Sequence, residues 1–398
     1  MSIEAQLRWQ SAGVQHVDAL LVVESALFAD GRWLRAAQPV RSGAVAETEL
    51  DAAAWIQPVG QTPLEVAAQH FRLPTEPIAG RFYPRMAFKN LAMNPGDKRP
   101  TRVLAADAER LLVEVNHPLA GGGEAVTNVR LVFLQSPQQA AHGVRLVELF
   151  EGPGMQVPAS NPAVTYFQPA GLRCQEAQVT HEGASEGASE GATKISPDAD
   201  FYAQPRFVHH LDAVCRAEIT ALYQRMFQQA LPQGQRVLDL MSSWCSHLPP
   251  LALNVAGLGM NAAELAANPQ LSERVVQDLN GQATLPWPAA EFDAVVCTAS
   301  IEYLRNPAAV VAEVRRVLKP GGVFIVTFSD RWFPTKAVKV WSELHPFERL
   351  GWVLAVLQGA GFTDLHSETR RGLQRPQEDK YIEQRLYSDP LFAAWGRA

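Results

Sequence analysis

The sequence predicts an α/β protein: a parallel sheet covered on both sides in the C-terminal half, preceded by a smaller α+β or mostly β domain. Three observations carry this. The C-terminal half alternates strand candidates with helical segments, and its strands are apolar on both faces, as strands buried in a parallel sheet must be. The N-terminal half shows β-branched and leucine-rich runs bounded by turn residues. Between them lies EGASEGASEGAT, Glu182 to Thr193, a tandem repeat of small and acidic residues with almost nothing to offer a core. The expected division is therefore a domain over 1–180, a linker over 181–200 and a domain over 201–398. At 398 residues the chain is too long for one typical core.

In the N-terminal half, LLVV (Leu20 to Val23), RLLVEV (Arg110 to Val115), VRLVFL (Val129 to Leu134) and VRLVELF (Val144 to Phe150) read as strands. NPGD and PLAGGG supply turns. TPLEVAAQHFR, Thr62 to Arg72, reads as a helix, with Thr62 as its cap and Pro63 at its first position.

The C-terminal half opens with a long amphipathic helix over Phe207 to Leu231. Its apolar residues, among them Leu211, Ile219, Leu222 and Met226, recur at spacings of three and four. The strand candidates that follow are RVLDL, NVAGLGM, RVVQDL, FDAVVCT and VFIVTFS. Asn306 caps the helix of NPAAVVAEVRRVLKPGG, Pro307 opens its first turn, and Lys319 to Gly322 stop it. Ligands of such sheets lie outside the carboxyl ends of the strands, where the strand order reverses.

Composition removes several function classes. The formal net charge of −6 gives no general pull on nucleic acid or anionic membrane, and no basic tract or base-flipping motif is present. The four cysteines, Cys174, Cys215, Cys245 and Cys297, contain no C-x-x-C pair, so no metal site is expected. No apolar run approaches the roughly 18 residues that span a bilayer, and no signal segment opens the chain; a cytoplasmic protein is expected. No G-x-S-x-G or cysteine–histidine constellation announces covalent catalysis. The absence of G-x-G-x-x-G after the first strand speaks against a nicotinamide oxidoreductase.

The run LPWPAAEFDAVVCTASIEYLRNPAAVVAEVRRVLKPGGVFIVTFS, Leu285 to Ser329, resembles the class I S-adenosylmethionine-dependent methyltransferases. The resemblance covers roughly 201–398. It implies a Rossmann-like sheet, S-adenosylmethionine as cofactor, and methyl transfer as the reaction. The family's first strand ends in an acid followed by three spaced glycines. Here the acid falls on Asp239, but the glycine positions fall on Met241, Ser243 and Cys245. The ribose-binding acid of the second strand falls on Gly259, with Asn261 two residues on. The adenine-binding acid falls on Asp278, with Leu279 beside the ring, and Thr298 lines the pocket at the end of the fourth strand.

A shortened helix is expected to start near Ser242 or Ser243, whose hydroxyls suit the carboxylate of the cofactor's methionine end. Met241 and Trp244 read as packing residues. His247, Glu302 and Tyr303 are the candidate acid–base groups, the latter two as a pair at the pocket mouth. Arg331, Lys336 and Lys339 read as an exposed basic helix face, and His209 and His210, adjacent on a helix, as a poor metal pair.

VEVNHPLAGG, Val113 to Gly122, with FYPRMAF and VLAADAERLLVEV upstream, resembles the FKBP-type prolyl isomerases of the SlyD subgroup, over about 80–135. The upstream helix and aromatic pocket of that family have no counterpart in the sequence, so a binding module for peptide or partner is expected rather than an isomerase. The combined reading is a methyltransferase acting on a small molecule or peptide, with an N-terminal module that binds substrate or partner. The alternative is a methyltransferase-like sheet kept for binding or regulation, or isomerase or chaperone activity in the N-terminal domain.

Overall fold

The computed structural model describes residues 2–29, 31–52, 55–56, 63–73, 76–92, 96–120, 126–156, 198–230 and 235–398. The repeat Glu182 to Thr193, the expected cap Thr62, the glycines of PLAGGG and Cys174 lie outside them. The chain forms two units. One comprises Met1–Gln168, Leu344–Trp352 and Ser367–Pro390; the other comprises Pro169–Glu343, Val353–His366 and Leu391–Ala398. This corrects the expectation of one contiguous domain over 201–398, since two later segments cluster with the N-terminal half.

In the first unit, β1 (Ser2–Ser11) and β2 (Val14–Val23) form an antiparallel hairpin from Ser2↔Val23 to Ser11↔Val14. Its tip is Ala12-Gly13, both at positive φ, as a tight two-residue hairpin requires. With β3 (Glu47–Asp51) and β8 (Val126–Ser136) they make the order β2-β1-β8-β3. A second antiparallel sheet runs β4-β7-β6-β5, from β4 (Leu64–Ala67), β5 (Phe82–Pro84), β6 (Pro100–Ala106) and β7 (Arg110–Glu114). The helix α1 (Gly31–Arg41) packs Ala37 and Val40 into the core of the first sheet. The late segments join by buried polar contacts. Ser367 hydrogen-bonds His16 at 2.7 Å, Thr369 donates to Asp18 at 3.2 Å, and Glu348 accepts from the Phe82 amide at 3.1 Å.

Two expectations fail here. TPLEVAAQHFR is not a helix: Leu64–Ala67 is strand and Ala68–His70 a single 3-10 turn. Pairing of Leu64 with Val113 and burial of Val66 against Val103 and Leu111 override its helical propensity. VRLVELF is not a strand: Leu146–Phe150 is a 3-10 helix, which turns both Leu146 and Leu149 into the core. The sequence reading also passed over β1, whose alternation of Ile3, Ala5, Leu7 and Trp9 is buried throughout.

In the second unit, β9 (Arg236–Leu240), β10 (Asn254–Gly259), β11 (Glu273–Val276), β12 (Phe292–Thr298) and β13 (Leu318–Phe328) are parallel. β15 (Leu391–Arg397) runs antiparallel beside β13, with the start of β14 (Thr363–Arg371) beyond it. The order β11-β10-β9-β12-β13-β15-β14 reverses between β9 and β12. That is the switch point where open α/β sheets bind ligands. The expected strands and the helix Pro307–Val317, capped by Asn306 through the Ala309 amide at 3.2 Å, are all present.

The long helix starts later than expected, at Ala213 rather than Phe207. Asp212 fixes that start by accepting from the amides of Val214 and Cys215. His209 and His210 therefore stand in the approach to the helix, not on it. The shortened helix expected near Ser242 is absent, since 241–253 is irregular. The Ser242 amide donates to the Leu258 carbonyl at 2.7 Å, which ties the chain to β10, and Pro249-Pro250 forbids a helix further on. Among the described residues no helix is long and apolar enough to cross a membrane.

Candidate active site

A cleft opens at the carboxyl ends of β9, β10 and β12. Asp239, Met241, Ser242, Ser243, Gly259, Asp278, Leu279 and Thr298, expected at the site from sequence, all line it. Asp239 is buried near the end of β9 and accepts from the Ser242 hydroxyl. Burial raises its pKa from 3.8 to about 6, while hydrogen bonds from Ser242 and Ser246 hold it down in part. Met241 has φ +60°, the left-handed conformation that favours glycine. The loop thus keeps a glycine-like backbone at the first position where the side chain departs from glycine.

Gly259, at the end of β10, is sterically required. A Cβ there would stand 2.2 Å from the Ser242 carbonyl oxygen. No acidic side chain fits at that position while the loop after β9 lies against it. Asn261 does not line the cleft: it caps the helix Ala262–Ala267, accepting from Ala263 and Glu264 amides at 3.0 Å and donating to the Tyr202 carbonyl at 2.9 Å. The carboxylate that the helix brings to the cleft is Glu264, which the sequence reading missed. Glu264 accepts from the Ser243 hydroxyl at 2.6 Å and from the Arg206 amide at 2.7 Å. Its signal was Asn261 followed three residues later by an acid, a capping pattern that places Glu264 in the first turn.

On the opposite side, Asp278 accepts from the Asn280 amide at 2.9 Å and Leu279 is buried beside it. The Asn280 amide group donates to Asp198 and to the Tyr303 carbonyl, both at 3.0 Å. Thr298 shares a 2.7 Å hydrogen bond with the buried Tyr223 hydroxyl. Lys336 is buried with its ammonium 3.3 Å from Asp198, which corrects the expectation of an exposed basic face at this residue. Lys339 pairs with Glu343 at 3.7 Å.

Of the candidate acid–base groups, Tyr303 and His247 line the cleft. Tyr303 lines the cleft, with its hydroxyl accepting from the Phe333 amide at 2.9 Å. Glu302 is buried and does not line it, but its side chain hydrogen-bonds Tyr303, so the expected pair is present with only the tyrosine at the cleft. His247 lines the cleft at φ +54°. Burial, then Arg216 and His209, lower its pKa to about 4, so it is neutral at pH 7 and a weak base. The structure also brings Cys245 Sγ to 3.5 Å from His247 Nδ1, a pairing that the sequence reading did not credit. His209 lies against Trp244 with ring centroids 4.5 Å apart, and Phe207 meets the same indole at 6.3 Å. Trp244 is therefore a cleft wall as well as a packing residue.

Among the described residues four carboxylates line this cleft (Asp198, Asp239, Glu264 and Asp278) with one guanidinium, Arg206, and Asp198 is already paired with Lys336. Such a balance suits a ligand that carries positive charge and several hydroxyl or amino donors. S-adenosylmethionine has this make-up: a sulfonium and an ammonium, two ribose hydroxyls and an adenine amino group. Among the described residues no cluster of metal-ligating side chains occurs.

Comparison by sequence agrees. Residues 240–326 match the model of a methyltransferase domain. A probable S-adenosylmethionine-dependent methyltransferase of Mycolicibacterium smegmatis is 27% identical over 177 residues, 39% of this chain and 69% of that protein. The ubiquinone/menaquinone biosynthesis C-methyltransferase UbiE of Burkholderia vietnamiensis is 37% identical over 70 residues; the match covers 17% of this chain and 28% of that enzyme. A SAM-dependent methyltransferase structure from Aquifex aeolicus aligns with 47% of this chain and 94% of its own, at 14% identity and a TM-score of 0.31. The chain carries a class I S-adenosylmethionine-dependent methyltransferase domain, and S-adenosylmethionine is its cofactor.

Proposed function

We propose that this protein transfers a methyl group from S-adenosylmethionine to a small-molecule acceptor held beside Trp244, His209 and His247. The observation that carries this reading is the acidic cleft at the strand reversal, in which Glu264 replaces the carboxylate that Gly259 excludes. Asp278 and Leu279 are assigned to the adenine, Glu264 to the ribose hydroxyls, and Ser242, Ser243 and the Met241 backbone to the turn beneath the methionine end. When bound, the cofactor supplies an electrophilic methyl group on a positively charged sulfur. The protein's share is to bind and align the acceptor and to exclude water. Because His247 is a weak base, an acceptor that ionises readily or attacks as a neutral nucleophile is favoured.

The unit that holds VEVNHPLAGG is assigned the binding of substrate or partner, on its resemblance to the FKBP-type proteins. Affinity for S-adenosylhomocysteine in Asp278→Ala and Glu264→Gln tests the placement. Each folded variant should bind about tenfold more weakly, the scale of one lost hydrogen bond to a charged group. Unaltered affinity in both would put the cofactor elsewhere.

A further inference from the structure

A second cleft, of about 360 Å³, lies wholly within the unit formed by the N-terminal half, in a part of the chain that the methyltransferase domain does not use. One side is aromatic. Trp33 stacks on Trp55 with centroids 3.9 Å apart and meets Phe150 at 5.6 Å. The other side is cationic. Arg85 lines the cleft at 6% exposure, and its one hydrogen bond among the described residues runs from Nη2 to the Val115 carbonyl at 2.6 Å. Among the described residues its Nε has no partner and no carboxylate is bonded to it. The neighbouring Arg99 also lines the cleft, but Asp97 grips it at 2.6 and 2.8 Å. Burial and Arg99 lower the Arg85 pKa against the pull of Asp97, as expected of a guanidinium short of a counter-ion.

The remaining polar groups limit the ligand's charge. His117 lines the cleft as a neutral ring, its pKa lowered to about 4 by burial; one ring nitrogen faces the Phe150 carbonyl at 2.9 Å and the other accepts from the Leu119 amide. Glu151 also lines it, with its pKa raised by burial and Glu148, so a doubly charged anion would meet repulsion. Arg32 stands at the exposed rim, 5.0 Å over the Trp55 ring. A buried guanidinium that no described carboxylate bonds, lining one cleft with three aromatic rings, matches one chemistry: a flat apolar body that carries a single carboxylate.

We propose that this cleft is a second ligand site, taking an aromatic or similarly flat monocarboxylate, with its ring against Trp55 and Phe150 and its charge at Arg85. The site is independent of the methyltransferase reading.

The test uses the full chain, with 2-naphthoate and its uncharged counterpart 2-naphthamide as probes, followed by calorimetry and tryptophan fluorescence. The acid should bind at least about tenfold more tightly than the amide, since only the acid gains the charged hydrogen bonds. Trp55→Ala should weaken the acid by a similar factor, and Arg85→Gln should abolish the preference for acid over amide. Should Arg85→Gln fail to fold by its melting curve, Arg99→Gln, at the more exposed neighbour, should reduce the same preference. Saturating S-adenosylhomocysteine should leave 2-naphthoate binding unchanged. Equal affinity for acid and amide, indifference to Trp55→Ala, or displacement by S-adenosylhomocysteine would each overturn the proposal.

Discussion

The Ser242 carbonyl oxygen stands 2.2 Å from the place a Cβ on Gly259 would occupy, and the Ser242 amide donates to the Leu258 carbonyl at 2.7 Å. The loop after the first strand and the end of the second thus share one small volume. That contact explains two departures at once. The loop lacks glycines yet keeps a left-handed residue at Met241, and the second strand lacks an acid because nothing larger than glycine fits there.

Gly259→Ala is therefore expected to destabilise the domain, by about 1–3 kcal/mol, the usual scale of overpacking against atoms that cannot yield. The methyl would press on backbone rather than on a flexible side chain. Urea unfolding together with S-adenosylhomocysteine titration should show loss of both stability and affinity. A variant as stable as the parent would mean that the loop moves freely.

At Met241 the expectation runs the other way. Met241→Gly relieves the left-handed strain but frees the unfolded chain, so stability should change by less than about 1 kcal/mol. Met241→Val, β-branched at the same φ, should lose about 1–2 kcal/mol more. Parallel melting of the two variants checks this; equal losses would show that φ at this residue does not matter.

How much of this could be read beforehand divides along physical lines. The parallel strands and the helix capped by Asn306 follow from local pattern, since each needs only its own segment, whereas Asp239 and Asp278 as cleft residues were legible only through the family resemblance. Glu264 was missed because its place at the cleft is fixed by contacts from other segments, the Ser243 hydroxyl and the Arg206 amide. TPLEVAAQHFR became strand because β7 offered it a partner. The two late segments that join the N-terminal unit carry no sequence mark of their own; they are placed by buried contacts such as Glu348 to the Phe82 amide. His247 was visible as a residue, but its weak basicity depends on Arg216 and on burial, which only the fold creates.

Asp239 gives a pH prediction with a definite sign. Its pKa is raised by burial, from 3.8 to about 6, so the folded state holds the proton more tightly than the unfolded chain. Its favourable contribution is full below about pH 3.8 and is lost as pH rises through about 6. The stability of Asp239→Asn relative to the parent should therefore grow from pH 4 to pH 7, by up to about 3 kcal/mol for a pKa carried from 3.8 to about 6. Urea unfolding of both proteins at the two pH values reads this directly. A difference that does not change with pH would show that Asp239 is not desolvated.

His247 should titrate near pH 4 in an NMR experiment on its ring protons, far below the usual 6.5. Arg216→Gln, which removes a nearby positive charge, should move the midpoint upward. A midpoint already near 6.5 in the parent protein would make His247 a competent base after all.

The central claim is that a loop with Met241, Ser243 and Cys245 in place of glycines still holds the cofactor, with Glu264 in the role that Gly259 cannot fill. Calorimetric titration of S-adenosylmethionine into the full chain tests it most directly. Saturable binding at one site per chain, weakened about tenfold in Glu264→Gln, is the expected result. No heat and no thermal shift at millimolar cofactor, or equal affinity in the variant, would contradict it.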